Sequence, residues 1–162
     1  MGQKVNPVGI RMGWYLPWKS RWFSDNADYK KFLIEDVEIR KALLARLKLA
    51  GITSVEIERL PKSMVIIVTV SRPGIVIGRG GTGIEEVKKF IIGVISKGRG
   101  KKLSDTKIDF KVNEVKNPEI SAKLVAERIA VELERRMPQR RVVSRAMERI
   151  IAAGALGVKV VL

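Results

Sequence analysis

The chain contains no cysteine and no histidine among its 162 residues. Without cysteine it cannot form disulfides, thiolate nucleophiles, or cysteine-ligated zinc and iron–sulfur sites. Without histidine it lacks the most common general base and metal ligand, which excludes Ser-His-Asp, Cys-His and histidine–zinc arrangements. We therefore expect no enzyme, no metal and no cofactor, although an enzyme built on carboxylates, lysine or hydroxyls stays open at this point.

Acidic residues and long apolar runs are also scarce. The chain has 32 lysines and arginines against 17 aspartates and glutamates, which gives a formal net charge of +15. This charge favours a polyanionic partner, first nucleic acid and second an anionic membrane surface. No apolar run approaches the roughly 20 residues of a spanning helix, and residues 1–7 lack the apolar core of a secretory signal. We expect a nucleic-acid-binding protein that works where it is made and has no membrane partner.

The most informative pattern is a glycine-rich segment at residues 72–91, RPGIVIGRGGTGIEEVKKFI. It places a tight turn of the form Val-Ile-Gly-x-x-Gly between an apolar run and an amphipathic helix. The turn consists of Gly78, Arg79, Gly80 and Gly81. Its glycines let the backbone approach a sugar-phosphate chain without obstruction by Cβ, and the following helix directs its first amides at anions. The pattern is the signature of a KH domain, which clamps single-stranded nucleic acid.

Residues 78–83 also match G-x-G-x-x-G, the fingerprint of dinucleotide-binding folds. That fingerprint should follow the first strand of a βαβ unit, with an acidic residue roughly 20 residues further on, at the end of the next strand. Here two predicted strands and a helix precede the loop, and Asp105 lies before the third strand. The dinucleotide interpretation is disfavoured, and a plain structural turn without a ligand is the other alternative.

Hydrophobic periodicity predicts the elements around this loop. In chain order they are a helix over residues 28–50 ended by Gly51, strands at residues 55–58 and 64–70, the glycine loop, a helix from Gly83 to about Ser96, a basic connector at residues 97–102 and a strand at residues 108–115. The order helix, strand, strand, glycine loop, helix, strand matches a type II KH domain. The predicted fold class is therefore α+β.

The pattern changes past residue 116, where we place a domain boundary. Helices are predicted over residues 118–137, with a proline in the first turn, and over about residues 138–153. Residues 158–162 resemble the start of a strand without a partner, so this second α+β domain is predicted to be incomplete. The predicted organisation is a basic and aromatic arm at residues 1–24, a type II KH domain at residues 25–116 and the partial domain at residues 117–162.

The arm holds five of the nine aromatic residues. Its rings are Trp14, Tyr15, Trp18, Trp22 and Phe23, and its cations include Lys4 and Arg11, which we take as RNA-binding candidates. In an extended arm of this kind the rings can stack on bases while the cations neutralise phosphates. The alternative is that each ring docks on the protein's own core.

A second set of candidates is an arginine cluster in the last predicted helix and the turn before it. Its members are Arg135, Arg136, Arg140, Arg141, Arg145 and Arg149, with Glu148 the only acid among them. Like charges four residues apart repel, and cations in a first turn oppose the helix dipole. An anionic partner would relieve both costs, so we name all but the last arginine as RNA-binding candidates. The alternative is a solvated basic face, with Glu132 or Glu134 absorbing part of the charge.

With these motifs in view, nearly the whole chain resembles the bacterial-type family of small-subunit ribosomal protein three. The resemblance rests on MGQKVNP with GIR at residues 1–11, SRWF at 20–23, RPGIVIG at 72–78, KNPE at 116–119, AKLVA at 122–126, LERR at 133–136 and GVKV at 157–160. It implies a component of the small-subunit head that holds rRNA and lines the channel through which mRNA enters. It also implies ribosomal proteins ten and fourteen as neighbours, and a cytoplasmic ribosome or, for an organelle-encoded chain, a plastid or mitochondrial one.

In that family, basic residues early in the second helix of the C-terminal domain contact incoming mRNA, and Arg140 and Arg141 match them. A third family position, usually lysine, is Ser144 here, next to Arg145. The segment at residues 97–106 looks longer than is usual, and the family's C-terminal domain continues further than residue 162. A free-standing KH-type regulator or RNA chaperone that binds short single strands is the alternative function.

Overall fold

The structure is a computed structural model that describes residues 2–99 and 107–162. The elements are α1 (Pro7–Arg11), β1 (Ser20–Arg21), α2 (Asn26–Arg46), a 3₁₀ turn (Lys48–Ala50), β2 (Ile52–Arg59), β3 (Ser63–Val70), α3 (Pro73–Ile77), a second 3₁₀ turn (Arg79–Gly81), α4 (Thr82–Arg99), β4 (Lys107–Glu114), α5 (Ala122–Glu134) and α6 (Gln139–Ala152). The predicted connector, including its lysines, lies outside the described residues apart from the backbone of residues 97–99. Helices and one sheet in this order agree with the predicted α+β class.

The four strands form a single sheet in the order β1-β2-β3-β4. β2 and β3 are an antiparallel hairpin, whereas β4 pairs with β3 in parallel over the full length of both strands. A parallel pair needs a crossover connection, and α3, the glycine loop and α4 lie within the connection between these strands. The sheet topology therefore places the loop in the crossover from β3 to β4.

The main core lies between one face of this sheet and helices α2 and α4. Side chains on β2 and β3 alternate between buried and partly exposed, as expected for strands with one covered face. The fully buried side chains include Ile39, Leu43, Ile57, Ile66, Val68, Ile91 and Ile95. A second, smaller cluster joins α5 to α6 through Val125, Ile129 and Val142. The two clusters share no residue, which agrees with the boundary we place near residue 116; the boundary itself stays a prediction.

The N-terminal arm differs from the extended segment that the sequence predicted. Asn6 caps α1, because its Oδ1 accepts a hydrogen bond of 2.9 Å from the backbone N–H of Val8. Pro7 takes the first helical position, where the missing N–H would have had no helical partner. Further on, β1 adds to the sheet edge in parallel with β2. Pro7 therefore begins a helix, and the arm is partly ordered by the sheet.

Two predictions about the C-terminal part were wrong. α5 begins at Ala122 after Ser121, and Pro118 lies in the preceding turn, where its carbonyl accepts a hydrogen bond of 3.3 Å from the N–H of Ser121. Residues 158–162 form no strand with any part of the chain that the structure describes. A strand needs hydrogen-bonding partners, and none is placed beside these residues.

A buried polar cluster attaches the arm to α2 and β2. Asp36 is fully buried on α2 and accepts hydrogen bonds of 2.8 Å each from Oγ of Ser20 and Nε1 of Trp22. It also accepts a hydrogen bond of 2.9 Å from Nε of Arg59, whose Nη1 donates a bond of 2.8 Å to Glu35. A buried carboxylate is tolerated only when it is paired and hydrogen-bonded. The cluster therefore specifies where the arm lies.

We predict that Asp36→Ala lowers the free energy of unfolding by about 3–5 kcal/mol, the usual cost of removing one partner from a buried ion pair. Urea denaturation followed by far-UV circular dichroism measures the change. The matched control is Asp28→Ala, which removes an exposed ion pair of 3.0 Å with Lys31 and should cost about 0–1 kcal/mol. Equal losses in the two variants would show that the arm is not held by Asp36.

Candidate nucleic-acid interface

The glycine loop joins α3 to α4 through three residues in the left-handed region. The φ angle is 70° at Gly78, 62° at Gly80 and 82° at Gly81. Residues with a Cβ rarely adopt this conformation, so this loop requires glycine. A Cβ built at Gly80 or Gly81 would meet nothing within 4 Å. The loop is thus the tight turn that the sequence predicted, and its backbone is open to a ligand.

Gly83 fixes the base of the loop, a role that the sequence analysis missed. A Cβ at Gly83 would lie 2.5 Å from the carbonyl oxygen of Val76 and 2.9 Å from that of Ile77. The first turn of α4 therefore packs directly on the backbone of α3. A Cβ at Gly78 would likewise lie 3.0 Å from the backbone nitrogen of Gly83. The sequence did contain a signal for this close approach, because Gly83 is an additional glycine two residues after the G-x-x-G motif.

The candidate cation of the loop is Arg79, which lies in the turn between α3 and α4. Its side chain is outside the described part of the structure. Glu85 lies in the first turn of α4, where a carboxylate also interacts favourably with the helix dipole. The N-terminus of α4 alone is therefore a weak anion site, and the open glycine backbone is the stronger argument for a ligand at this loop.

Four of the five aromatic rings of the arm are exposed. The exposed fractions are 88% for Trp14, 79% for Tyr15, 60% for Trp18 and 92% for Phe23. Trp22 differs, because its ring packs edge-on against Phe32 with the centroids 5.8 Å apart. Trp22 therefore docks on the protein itself, against α2, while the other four rings are accessible to a partner.

The two candidate cations of the arm are both exposed. Lys4 precedes α1, and Arg11 is the last residue of that helix. Nη1 of Arg11 donates a hydrogen bond of 3.1 Å to the carbonyl of Pro7. This bond leaves the charge of the guanidinium unpaired, so both cations can still approach a phosphate.

The arginine cluster lies at the start of α6 and in the turn before it. Arg140 and Arg141 occupy the first turn of α6, and Arg145 lies one turn later. Together with Ser144 and Glu148 they line one open cavity of about 450 Å³, here called the α6 groove. Within the described residues no carboxylate forms an ion pair with an arginine of this groove, so Glu132 and Glu134 do not absorb their charge.

Arg135 and Arg136 end α5 just before this groove. Arg135 is the C-cap, and Arg136 is the only described non-glycine residue with a positive φ, 59°. Its N–H donates a bond of 2.8 Å to the carbonyl of Leu133, which closes the helix. Glycine or asparagine usually takes this position because a Cβ there costs about 1 kcal/mol. Strained backbone positions of this kind cluster at functional sites, so Arg136 stays a candidate.

Six apolar residues of α6 recur at helical spacing and predict one apolar stripe opposite the arginines, namely Val142, Val143, Ala146, Met147, Ile150 and Ile151. The apolar side of α6 in the structure is narrower than this stripe. Val142 is buried and packs in the cluster with α5, and Ala146 and Ile150 lie against that cluster. Ile151, which we assigned to the same stripe, is 57% exposed. The predicted stripe spans both sides of the contact with α5, and only its central residues reach it.

Comparison with known proteins identifies the family of this chain. A family model described as "KH domain" matches residues 38–120, about half of the chain. Curated relatives of this chain, including three from different organisms, carry the name small ribosomal subunit protein uS3. The relative from Persephonella marina is 48% identical over 160 residues, which cover 99% of this chain and 67% of the relative. The chain belongs to the uS3 family of ribosomal proteins.

The other two relatives give the same result. That from Sulfurihydrogenibium sp. is 46% identical, covering 98% of this chain and 66% of the relative, and that from Caldicellulosiruptor saccharolyticus is 43% identical, covering 98% and 68%. The chain thus spans about two thirds of the length of its uS3 relatives. Membership confirms the predicted type II KH fold and the predicted class of RNA-binding ribosomal protein. The uS3 family consists of structural proteins, so the chain is not an enzyme.

The described residues include neither a membrane-spanning helix nor a cluster of metal ligands. No helix there is long and apolar enough to cross a membrane. No group of three or more carboxylates in the same residues could hold a metal ion.

We predict that Gly83→Ala destabilises the protein by about 1–3 kcal/mol, because the new methyl group would overlap the carbonyl of Val76 and force the two helices apart. Thermal or urea unfolding measures this loss. Gly93→Ala is the matched control, since that glycine lies in α4 with nothing within 4 Å of a Cβ. Alanine should stabilise the helix there by about 0.5–1 kcal/mol. A Gly83→Ala variant as stable as wild type would contradict the close approach of α3 and α4.

Proposed function

We propose that the protein is a structural constituent of the small ribosomal subunit that binds rRNA of the subunit head and contacts mRNA where it enters the subunit. Membership in the uS3 family supports the ribosomal role and the binding of RNA. The α6 groove is the observation that carries the contact with mRNA. In a surface cavity of about 450 Å³ it gathers three arginines that form no ion pair within the described residues, against one carboxylate, that of Glu148.

The chemistry of the α6 groove suits a nucleic-acid strand. A guanidinium is planar, always charged and matched to two phosphate oxygens at once. Arg140 and Arg141 also oppose the dipole at the start of α6, so a phosphate bound there removes an unfavourable interaction. The groove therefore captures single strands passively by charge, and any effect on mRNA helices follows from that capture.

The glycine loop and the arm are the proposed rRNA contacts. The loop offers an open backbone at Gly80 and Gly81, and a KH domain binds a sugar-phosphate chain at this position. In the arm, exposed rings beside Lys4 and Arg11 combine stacking with phosphate neutralisation. Family resemblance adds ribosomal proteins ten and fourteen of the head as neighbours. The proposed location is the small subunit of a cytoplasmic ribosome, as for a bacterial protein, with an organellar ribosome as the alternative.

We predict that Arg140→Ala combined with Arg141→Ala reduces the salt dependence of RNA binding. Each phosphate contact on a single strand contributes about 0.7 to the slope of log K against log salt, so two lost contacts should reduce the slope by about 1.4. Fluorescence anisotropy of a labelled oligouridine at several salt concentrations measures it.

The control for this experiment removes the same charge elsewhere. Lys30→Ala with Lys41→Ala takes two exposed cations from α2, far along the chain from the groove. This variant should lower affinity slightly through net charge and leave the slope nearly unchanged. An unchanged slope in the arginine variant would mean that these arginines form only a solvated face.

The ribosomal role is tested by co-sedimentation with small subunits through a sucrose gradient at raised salt. We expect stoichiometric recovery with the subunit, because contacts that are not ionic, such as rings stacked on bases, remain when salt weakens the phosphate contacts. A protein that stays at the top of the gradient yet binds short single strands would instead favour the free-standing KH regulator.

A further inference from the structure

Two residues of the α6 groove carry no positive charge. Besides its three arginines, the groove is lined by Ser144 and Glu148, both exposed. Within the described residues, the carboxylate of Glu148 forms no ion pair and the hydroxyl of Ser144 has no hydrogen-bond partner. A carboxylate repels phosphate, so a site built for phosphate alone would not include one.

Helical geometry sorts the lining residues into two parallel rows. Residues four apart lie on the same face of a helix, about 6 Å apart along its axis. Arg141 and Arg145 form one row, which is purely cationic. Arg140, Ser144 and Glu148 form the other, which changes from a cation to a hydroxyl to a carboxylate. A bound strand that places phosphates on the first row presents another part of its backbone to the second.

We propose that Ser144 and Glu148 bind the ribose 2′-hydroxyl and so make the α6 groove select RNA over DNA. This inference rests on the proposed function, since it assumes that the groove binds a nucleic-acid strand. The 2′-hydroxyl is both a donor and an acceptor, and it is the group by which a protein distinguishes RNA from DNA. Glu148 accepts its hydrogen bond, and the hydroxyl of Ser144 donates to it. The two side chains therefore supply the acceptor and the donor that one 2′-hydroxyl requires.

A deoxyribose strand meets the same groove differently. It lacks the donor that Glu148 requires, so the carboxylate faces the phosphates with nothing to offset the repulsion. Glu148 then acts in opposite directions on the two strands: it strengthens RNA binding through a charge-assisted hydrogen bond and weakens DNA binding through charge. Discrimination against DNA thus uses a repulsive element as well as an attractive one.

The test compares oligouridine with oligodeoxyuridine of the same length, bound to the full chain and to single variants. Both probes carry uracil, so they differ only at the 2′ position of the ribose. Uracil also has no exocyclic amino group that Glu148 could bind instead of the 2′-hydroxyl. The measured quantity is the ratio of the two dissociation constants by anisotropy. Contacts made elsewhere on the protein are common to all variants and cancel when each ratio is divided by that of wild type.

We expect Ser144→Ala to weaken RNA binding about two- to tenfold and to leave DNA binding unchanged, as for one lost hydrogen bond. Glu148→Ala should tighten DNA binding and lower the preference for RNA about three- to tenfold. The matched control is Glu127→Ala, which removes an exposed carboxylate of α5 outside the groove. It should affect both probes equally and leave the ratio unchanged.

The arginine variant separates this inference from the function on which it rests. Suppose that Arg140→Ala with Arg141→Ala weakens binding of both probes, while Ser144→Ala and Glu148→Ala keep the wild-type ratio. The groove then binds nucleic acid as proposed, and only the recognition of the 2′-hydroxyl by Ser144 and Glu148 is contradicted. If the arginine variant binds like wild type, the groove is not a strand-binding site and both proposals fail. A Glu148→Ala variant that tightens RNA and DNA equally would show that Glu148 acts by charge alone.

Discussion

The direct packing of the first turn of α4 on the backbone of α3 is the constraint on which the glycine loop depends. α3 has five residues, too few to be stable as an isolated helix. It is held by Val76, which is 1% exposed in the main core, and by the missing Cβ of Gly83 against its carbonyls. Because both ends of the loop are fixed in this way, Gly78 to Gly81 must turn within four residues. The left-handed φ angles follow from that closure.

The sequence predicted the KH part of the fold well because its signals there are local. The β-branched residues predicted both central strands to within a few residues. α2 ends at Arg46, earlier than predicted, and Gly51, with φ 66°, ends the 3₁₀ turn that follows it. β1 was missed because a strand of two residues has no periodicity of its own and exists only through pairing with β2. The buried polar cluster around Asp36 was missed for a similar reason. Its partners lie 14 to 23 residues away along the chain, and no spacing rule connects them.

The candidate site was predictable in its residue types and less so in its arrangement. The arginine cluster was evident from composition, and family resemblance singled out Arg140 and Arg141 within it. The left-handed conformation of Arg136 could not be predicted from the sequence, because it arises where α5 must end before α6 begins. At position 144 the sequence analysis noted only that a serine stands where the family usually has lysine. In the structure Ser144 lines the same groove as Glu148, and we propose that the two act together as hydrogen-bond donor and acceptor.

Two of the surfaces that we propose to bind RNA, the glycine loop and the α6 groove, are ordered by different means, and this difference affects how each would respond to a ligand. The glycine loop is fixed by backbone packing against a large core, so a ligand finds it already formed. The α6 groove rests on a small cluster centred on Val125, Ile129 and Val142, while its arginines repel one another. A ligand that neutralises them stabilises the folded α6 in proportion to its occupancy. Binding at the groove is therefore coupled to the stability of α5 and α6, whereas binding at the loop is coupled mainly to the accessibility of its backbone.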